Sequence, residues 1–273
     1  MINYIEKFEE ETGKHLGDDA KRLTPLFEEI RFGHVLPPKG QQAVDCGFIA
    51  HTFNDPGENP LIYTYYHWVI ENVFTDTVIR ELPAKIIGDE FICANIFETD
   101  WPQPLTVNKW QLDQVLTVKL LAKKAVVIEN NGVFIWLLHR HPDWPLILQS
   151  GNNFNVVYRN VMKMLSHRMR LSYLGDLDTE GIKIVDLLTK MIDEQGGESR
   201  ELSALQNLGQ LANWIAVYGV SNESTNRIHH DETIMNPVWQ EEANFLEINR
   251  QFVEQEQLIR EYERIIPEWL SWN

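Results

Sequence analysis

Three short runs at residues 125–128, 146–148 and 171–174, apolar but for Ser172 and set between helix-patterned segments, constrain this chain more than any other feature. Runs so short and so largely apolar are expected of strands buried on both faces. Residues 133–139 read as a short helix between the first two. Residues 152–168 read as a helix between the second and third, with Val156, Val157, Val161, Met162 and Leu165 inward. A further helix over 180–194 carries Ile182, Val185, Leu188 and Ile192 on one face. Strands alternating with helices of this length imply parallel βαβ units and an α/β fold. The pattern extends to a fourth strand at 215–220. It ends in a closing helix over 240–265, with Phe245, Ile248, Phe252 and Ile259 on one side.

Upstream the signals are mixed. Residues 3–32 read as helical, because Ile5, Phe8, Leu23, Leu26, Phe27 and Ile30 recur at three- and four-residue steps. Leu36-Pro37-Pro38-Lys39-Gly40 ends that unit. Residues 41–100 read as mixed strands and helices, with runs at 48–50, 61–66, 86–87 and 91–96. Trp101-Pro102-Gln103-Pro104 resembles a linker or tight corner and places a boundary near residue 105. The expected organisation is a mixed α+β domain over 1–105, of unassigned role, and a second domain over 106–273.

Composition is ordinary for a globular chain of 273 residues, with 44% hydrophobic and 23% charged residues, so a disordered or collagen-like chain is excluded. No apolar run approaches the ~20 residues of a membrane helix. The acidic start lacks the layout of a signal peptide. Two distant cysteines, Cys46 and Cys93, read as reduced thiols of a cytoplasmic protein. The net charge of −16 disfavours nonspecific polyanion binding. Its distribution is uneven: residues 1–110 carry 9 basic and 18 acidic side chains, and residues 181–273 carry 7 and 16. Residues 111–180 alone have a basic surplus, 8 against 6.

Ligands of an open parallel sheet bind beyond the carboxyl ends of the strands. The first run ends in Glu129-Asn130-Asn131-Gly132, the second in Gln149-Ser150-Gly151-Asn152, and the third in Gly175-Asp176-Leu177-Asp178-Thr179-Glu180-Gly181. If the strands are neighbours, Glu129, Asp176 and Asp178 converge on one edge. Clustered carboxylates need a cation or a proton to coexist. Hard oxygen ligands suit Mg²⁺ or Mn²⁺, which can activate water and shield a phosphoryl group. An Asp-x-Asp after a strand also serves simply as a helix N-cap, and both readings stand at this point.

The succession strand–Glu-Asn, strand–Ser-Gly and Tyr-Leu-Gly-Asp-Leu-Asp-Thr-Glu-Gly resembles a Toprim domain. The nearest likeness is to the C-terminal domains of the D subunit of Wadjet plasmid-defence systems and related bacterial proteins. A more distant one is to the A subunit of type VI topoisomerase and its meiotic relatives. Val127-Ile128-Glu129-Asn130 matches the first acidic motif of the family, and Gly175-Asp176-Leu177-Asp178 with Gly181 matches its Asp-x-Asp motif. Val253-Glu254-Gln255-Glu256 resembles a Glu-Gln-Glu segment of the bacterial domains. The likeness covers about residues 110–260.

The resemblance implies a Toprim-like parallel sheet flanked by helices. It also implies a Mg²⁺- or Mn²⁺-dependent site that breaks DNA phosphodiester bonds, within an anti-plasmid, anti-phage or DNA-processing assembly. Asp176 and Asp178 would bind the metal, and Glu129 would bind it or act as general acid/base. Glu180, Glu254 and Glu256 are outer or additional candidates. Arg159, Lys163, Arg168 and Arg170 are candidates for phosphate contact. The implied partners are DNA and other subunits, with room for a homodimer and none for a membrane. Tyr63, Tyr65 and Tyr66 faintly resemble a topoisomerase tyrosine segment, but a half-buried aromatic strand explains the run, and water is the favoured nucleophile. His139, His141, His229 and His230 lack zinc spacing and read as surface or helix-end residues. The rival reading is a non-catalytic scaffold or interaction subunit, favoured by the acidic balance. Neither Gly-x-x-x-x-Gly-Lys-Ser/Thr nor Gly-x-Gly-x-x-Gly occurs, which argues against a nucleotide-binding protein.

Overall fold

The computed structural model describes residues 2–82, 88–152, 154–223 and 226–271. The chain divides into two compact units, residues 1–85 and 86–273. The division falls before, not after, residues 90–105. The expected boundary near 105 coincides instead with a strand of the second unit.

The described residues of the first unit form four α-helices: α1 (Tyr4–Thr12), α2 (Thr24–Arg31), α3 (Lys39–Asp45) and α4 (Pro60–Val73). A 3₁₀ turn over Asp18–Leu23 precedes α2. Among its described residues the strand content is one isolated bridge, Leu36 to Glu81; of the mixed segment expected over 41–100, the helices lie in this unit, and the run at 91–96 supplies a strand, Glu90–Ala94, of the second. The run at 61–66 is helical because Asn59 accepts the Ile62 N–H as an N-cap and Pro60 opens the first turn. Ile62, Tyr65, Tyr66 and Val69 then fall on one face and are buried. They join Tyr4, Phe8, Phe27, Phe53 and Phe74 in an aromatic core. Tyr65 packs edge-on against Phe8 and Phe27. The run at 86–87 lies outside the described residues.

The second unit is built on a five-stranded sheet in the order β2-β1-β4-β3-β5. Its strands are β1 (Glu90–Ala94), β2 (Leu105–Asn108), β3 (Lys124–Ile128), β4 (Leu146–Leu148) and β5 (Arg170–Leu174). The three runs that dominate the sequence are the parallel strands: β3 pairs with β4 on one side and β5 on the other. Every residue of β3 and β4 is buried, Lys124 included, as expected of strands covered on both faces. β1 adds antiparallel to β4, and β2 to β1. Trp101-Pro102-Gln103-Pro104 is the corner between them, inside this unit.

Helix α5 (Leu112–Val115) precedes β3. Helices α6 (Asn131–Arg140) and α7 (Val156–Ser166) carry the chain from β3 to β4 and from β4 to β5, and α8 (Thr179–Glu194) follows β5. The expected fourth strand is instead helix α9 (Leu208–Tyr218), capped by Asn207, which buries Leu211, Trp214 and Ile215 on one face. Only β6 (Val220–Ser221) remains extended there. The expected closing helix is broken. α10 (Pro237–Asn249) stops at Arg250, which takes a left-handed conformation with φ 54°. β7 (Gln251–Phe252) pairs with β6, and α11 (Ile259–Ser271) resumes beyond a 3₁₀ turn over Gln255–Leu258. No helix of the described residues is long and apolar enough to cross a membrane.

Candidate active site

The chain leaves β3 for β4 on one side and then returns past β3 to β5 on the other. That reversal opens a crevice beyond the carboxyl ends of β3 and β5, where such sheets take ligands. Glu129 follows β3 directly, and Asp176 follows β5 after Gly175. The Glu129 N–H donates to the Leu174 carbonyl at 3.2 Å, so the ladder continues to the rim. Glu129 Oε2 accepts the Asp176 backbone N–H at 3.2 Å and the Tyr173 hydroxyl at 2.8 Å. Glu129 and the Asp-x-Asp segment, 47 residues apart in sequence, are therefore bonded to each other.

Asp178 serves as the N-cap of α8, its Oδ1 accepting the Gly181 N–H at 2.8 Å. Capping therefore accounts for that oxygen. Oδ2 faces away and pairs with Arg227 Nη1 at 2.9 Å. Asp176 is divided in the same way. Its Oδ1 accepts the Gln255 N–H at 2.8 Å, and its Oδ2 lies 3.6 Å from Arg227 Nη1. Each aspartate thus has one oxygen fixed by backbone and one turned toward a cation.

Burial raises Glu129 to about 7; the neighbouring Asp176 and Asp178 charges add to this, while the Tyr173 hydroxyl opposes it. Burial raises Asp176 to about 6, helped by Asp178 and Glu256 and opposed by the Gln255 amide and Arg227. The edge holds more negative charge than its surroundings compensate. Its hard oxygen donors fit Mg²⁺ or Mn²⁺. Among the described residues, the set of His and acidic groups whose ligand atoms all lie within 4.8 Å of one another is Glu180, His229 and Asp231. Glu129, Asp176 and Asp178 are not drawn so close. Asp231 already holds Lys183 Nζ at 2.7 Å, and His229 lies 3.6 Å from Glu180.

The break after α10 assembles the rest of the rim. Leu177 and Val253 exchange two backbone hydrogen bonds, at 2.8 and 3.2 Å. This bridge lays residues 253–256 across the Asp-x-Asp loop. The Gln255 amide donates to the Leu174 carbonyl, and its Oε1 accepts the Asn130 N–H, both at 2.8 Å. Glu256 accepts from Asn130 Nδ2 at 2.8 Å, and Glu254 receives Arg227 Nη2. Glu254 and Glu256 are therefore rim residues, not part of a continuous closing helix.

The basic candidates separate. Arg159 and Lys163 are exposed on α7. Arg168 lies in the turn after α7, and Arg170 opens β5 and pairs with Glu201. Four residue steps at about 3.3 Å put the start of β5 roughly 13 Å from its carboxyl end. Arg168 and Arg170 thus belong to the opposite edge of the sheet from Asp176. Tyr65 and Tyr66 are buried in the first unit. His141 pairs with Glu263 and His230 with Glu247, both at the surface or partly so.

Three residues of this rim gave no separate sequence signal of a role. Tyr173 sits inside an apolar strand, Gln255 lies between the two glutamates, and Arg227 stands alone in a polar loop. The structure gives the two glycines of the motif a packing reason. A Cβ on Gly175 would meet the Glu129 carboxylate and the Tyr173 hydroxyl, and one on Gly181 would overlap the Asp176 carbonyl. The Gly181 contact is with backbone and cannot rotate away. Gly181→Ala is expected to cost about 3 kcal/mol, a fall in Tm of roughly 6–12 °C; an unchanged melting curve would contradict the packing described.

Residues 90–264 match the family described as Wadjet protein JetD, C-terminal. The match begins at the first residue of β1, so it takes in the sheet, the acidic edge and the 253–256 rim. No curated protein matches the chain.

Proposed function

Since this chain belongs to the family of the C-terminal domain of the Wadjet protein JetD, we propose that its second unit is a Mg²⁺- or Mn²⁺-dependent DNA endonuclease. It acts in anti-plasmid defence, in the cytoplasm, as one subunit of a multi-protein assembly. The observation that carries this reading is the hydrogen bond that ties Glu129 to the Asp-x-Asp segment, through the Asp176 N–H, at the crevice between β3 and β5. Asp176 Oδ2 and Asp178 Oδ2 would hold the ion, because their other oxygens are tied to backbone N–H groups. The ion would supply Lewis-acid stabilisation of the phosphoryl oxygens and a more acidic water. Glu129, buried and held by Tyr173, would give or take a proton at the reacting oxygens. Arg159 and Lys163 are the exposed cations offered to the phosphate backbone on this reading.

The rival, a scaffold that keeps the fold without chemistry, draws support from Arg227, which already pairs with three rim carboxylates. One experiment separates the two. Supercoiled plasmid is incubated with the protein and Mg²⁺ or Mn²⁺, with and without chelator, beside Glu129→Gln. The expected result is metal-dependent nicking that the chelator and the substitution both abolish. Equal nicking by Glu129→Gln removes the reading, and no nicking under any metal condition favours the scaffold.

A further inference from the structure

Arg227 comes from the segment between β6 and α10, and the fold holds it in place from several directions. Its carbonyl accepts the Thr179 N–H at 3.1 Å. The next residue, Ile228, exchanges two hydrogen bonds with the Asn222 side chain, at 3.0 and 3.1 Å. His229 is clasped through its backbone by the Thr179 hydroxyl. The guanidinium carbon lies 5.3 Å from the centroid of the Phe252 ring. Its two terminal nitrogens then reach Asp178, Asp176 and Glu254. The oxygens it meets on the two aspartates are the two Oδ2 atoms, those left unbonded by backbone.

We propose that Arg227 is the resident counter-ion of the acidic edge, and that a divalent cation binds there by exchange with its guanidinium. The inference rests on the metal-binding reading above and deepens it. A guanidinium spreads one charge over a flat fork, so it can bridge carboxylates that stand too far apart to share a small ion. Nη1 stands between the two aspartates, 2.9 Å from Asp178 Oδ2 and 3.6 Å from Asp176 Oδ2. For an ion to enter, both Oδ2 atoms must release Nη1. Metal affinity is then lowered by the free energy of those ion pairs, as any linked competing equilibrium requires. Glu254, at the rim, can keep the displaced guanidinium.

The test is a calorimetric titration of the full chain with Mn²⁺, comparing the native protein with Arg227→Gln and Arg227→Lys. Removing the competing charge is expected to tighten Mn²⁺ binding at least tenfold in Arg227→Gln, the change that follows from about 1.4 kcal/mol of relieved competition. Arg227→Lys keeps one charge but loses the fork, and about threefold tightening is expected. It also supplies the readout if the glutamine variant fails to fold, which circular dichroism would show. Equal or weaker binding by the variants overturns the exchange and leaves the metal reading intact. Mn²⁺ binding by none of the three proteins overturns both.

Discussion

Asp178→Asn is expected to lower metal-dependent plasmid nicking about a thousandfold, the scale of a lost contact worth several kcal/mol to the transition state, while the fold survives. Asparagine is as good an N-cap as aspartate, so its Oδ1 still receives the Gly181 N–H that opens α8. What disappears is the charge on Oδ2, the atom turned toward Arg227 and assigned to the ion. Arg227 retains Asp176 and Glu254, so the stability cost should be about 1 kcal/mol. A melting curve and a nicking time course, run on the same preparation, check both halves. A folded variant that nicks at the native rate would show that Asp178 only caps the helix. Asp178→Ala confounds the two roles, because it removes the cap as well.

The second large effect concerns stability and pH. Glu242, on α10, is 0% exposed, and neither carboxyl oxygen has a hydrogen-bond partner. The Gln206 amide faces it without closing a well-formed bond; the other end of that amide accepts the Gly175 N–H at 3.0 Å. Burial raises Glu242 from the ordinary value near 4.5 to about 8. Below pH 4.5 both folded and unfolded chains hold this proton, and the fold bears no penalty. Between pH 4.5 and 8 the unfolded chain releases it while the folded chain keeps it, so stability falls as pH rises. Each pH unit crossed in that window removes about 1.4 kcal/mol, so the loss over the whole window is about 5 kcal/mol, or roughly 10–20 °C in Tm.

Glu242→Met removes the ionisable group with little change of volume. Between pH 5 and 8 its Tm should fall about 10 °C less than that of the native protein. Glu129 and Asp176 are raised in the same direction, so the variant keeps part of the slope when no metal is present. Parallel Tm–pH curves for the two proteins would show that Glu242 is not held protonated by the fold.

Much of this architecture was legible because burial on both faces leaves a plain mark. Strands β3, β4 and β5 had to read as short, largely apolar runs, and their carboxyl ends had to carry whatever polar chemistry the edge holds. That rule singles out Glu129, Asp176 and Asp178, and the fold bonds Glu129 to the Asp176 N–H. The run at 61–66 shows the opposite case. Its aromatic residues suit a strand, but a cap at Asn59 and the spacing of Ile62, Tyr65, Tyr66 and Val69 make it a helix. Here local capping and the burial of one face outweighed strand propensity.

From the sequence alone came the order of strands and helices in the parallel half, the three acids and the glycines beside them. Tertiary structure decided that β1 and β2 extend the sheet and that the last long helix breaks at Arg250. It also decided that Arg227 and Gln255 reach the acidic rim. The physical reason is range. Periodicity and capping act within a turn or two of the chain. Arg227 meets Asp178 across 49 residues and Gln255 meets Asp176 across 79. Contacts at that separation are selected by packing and charge in the folded state and leave no local pattern.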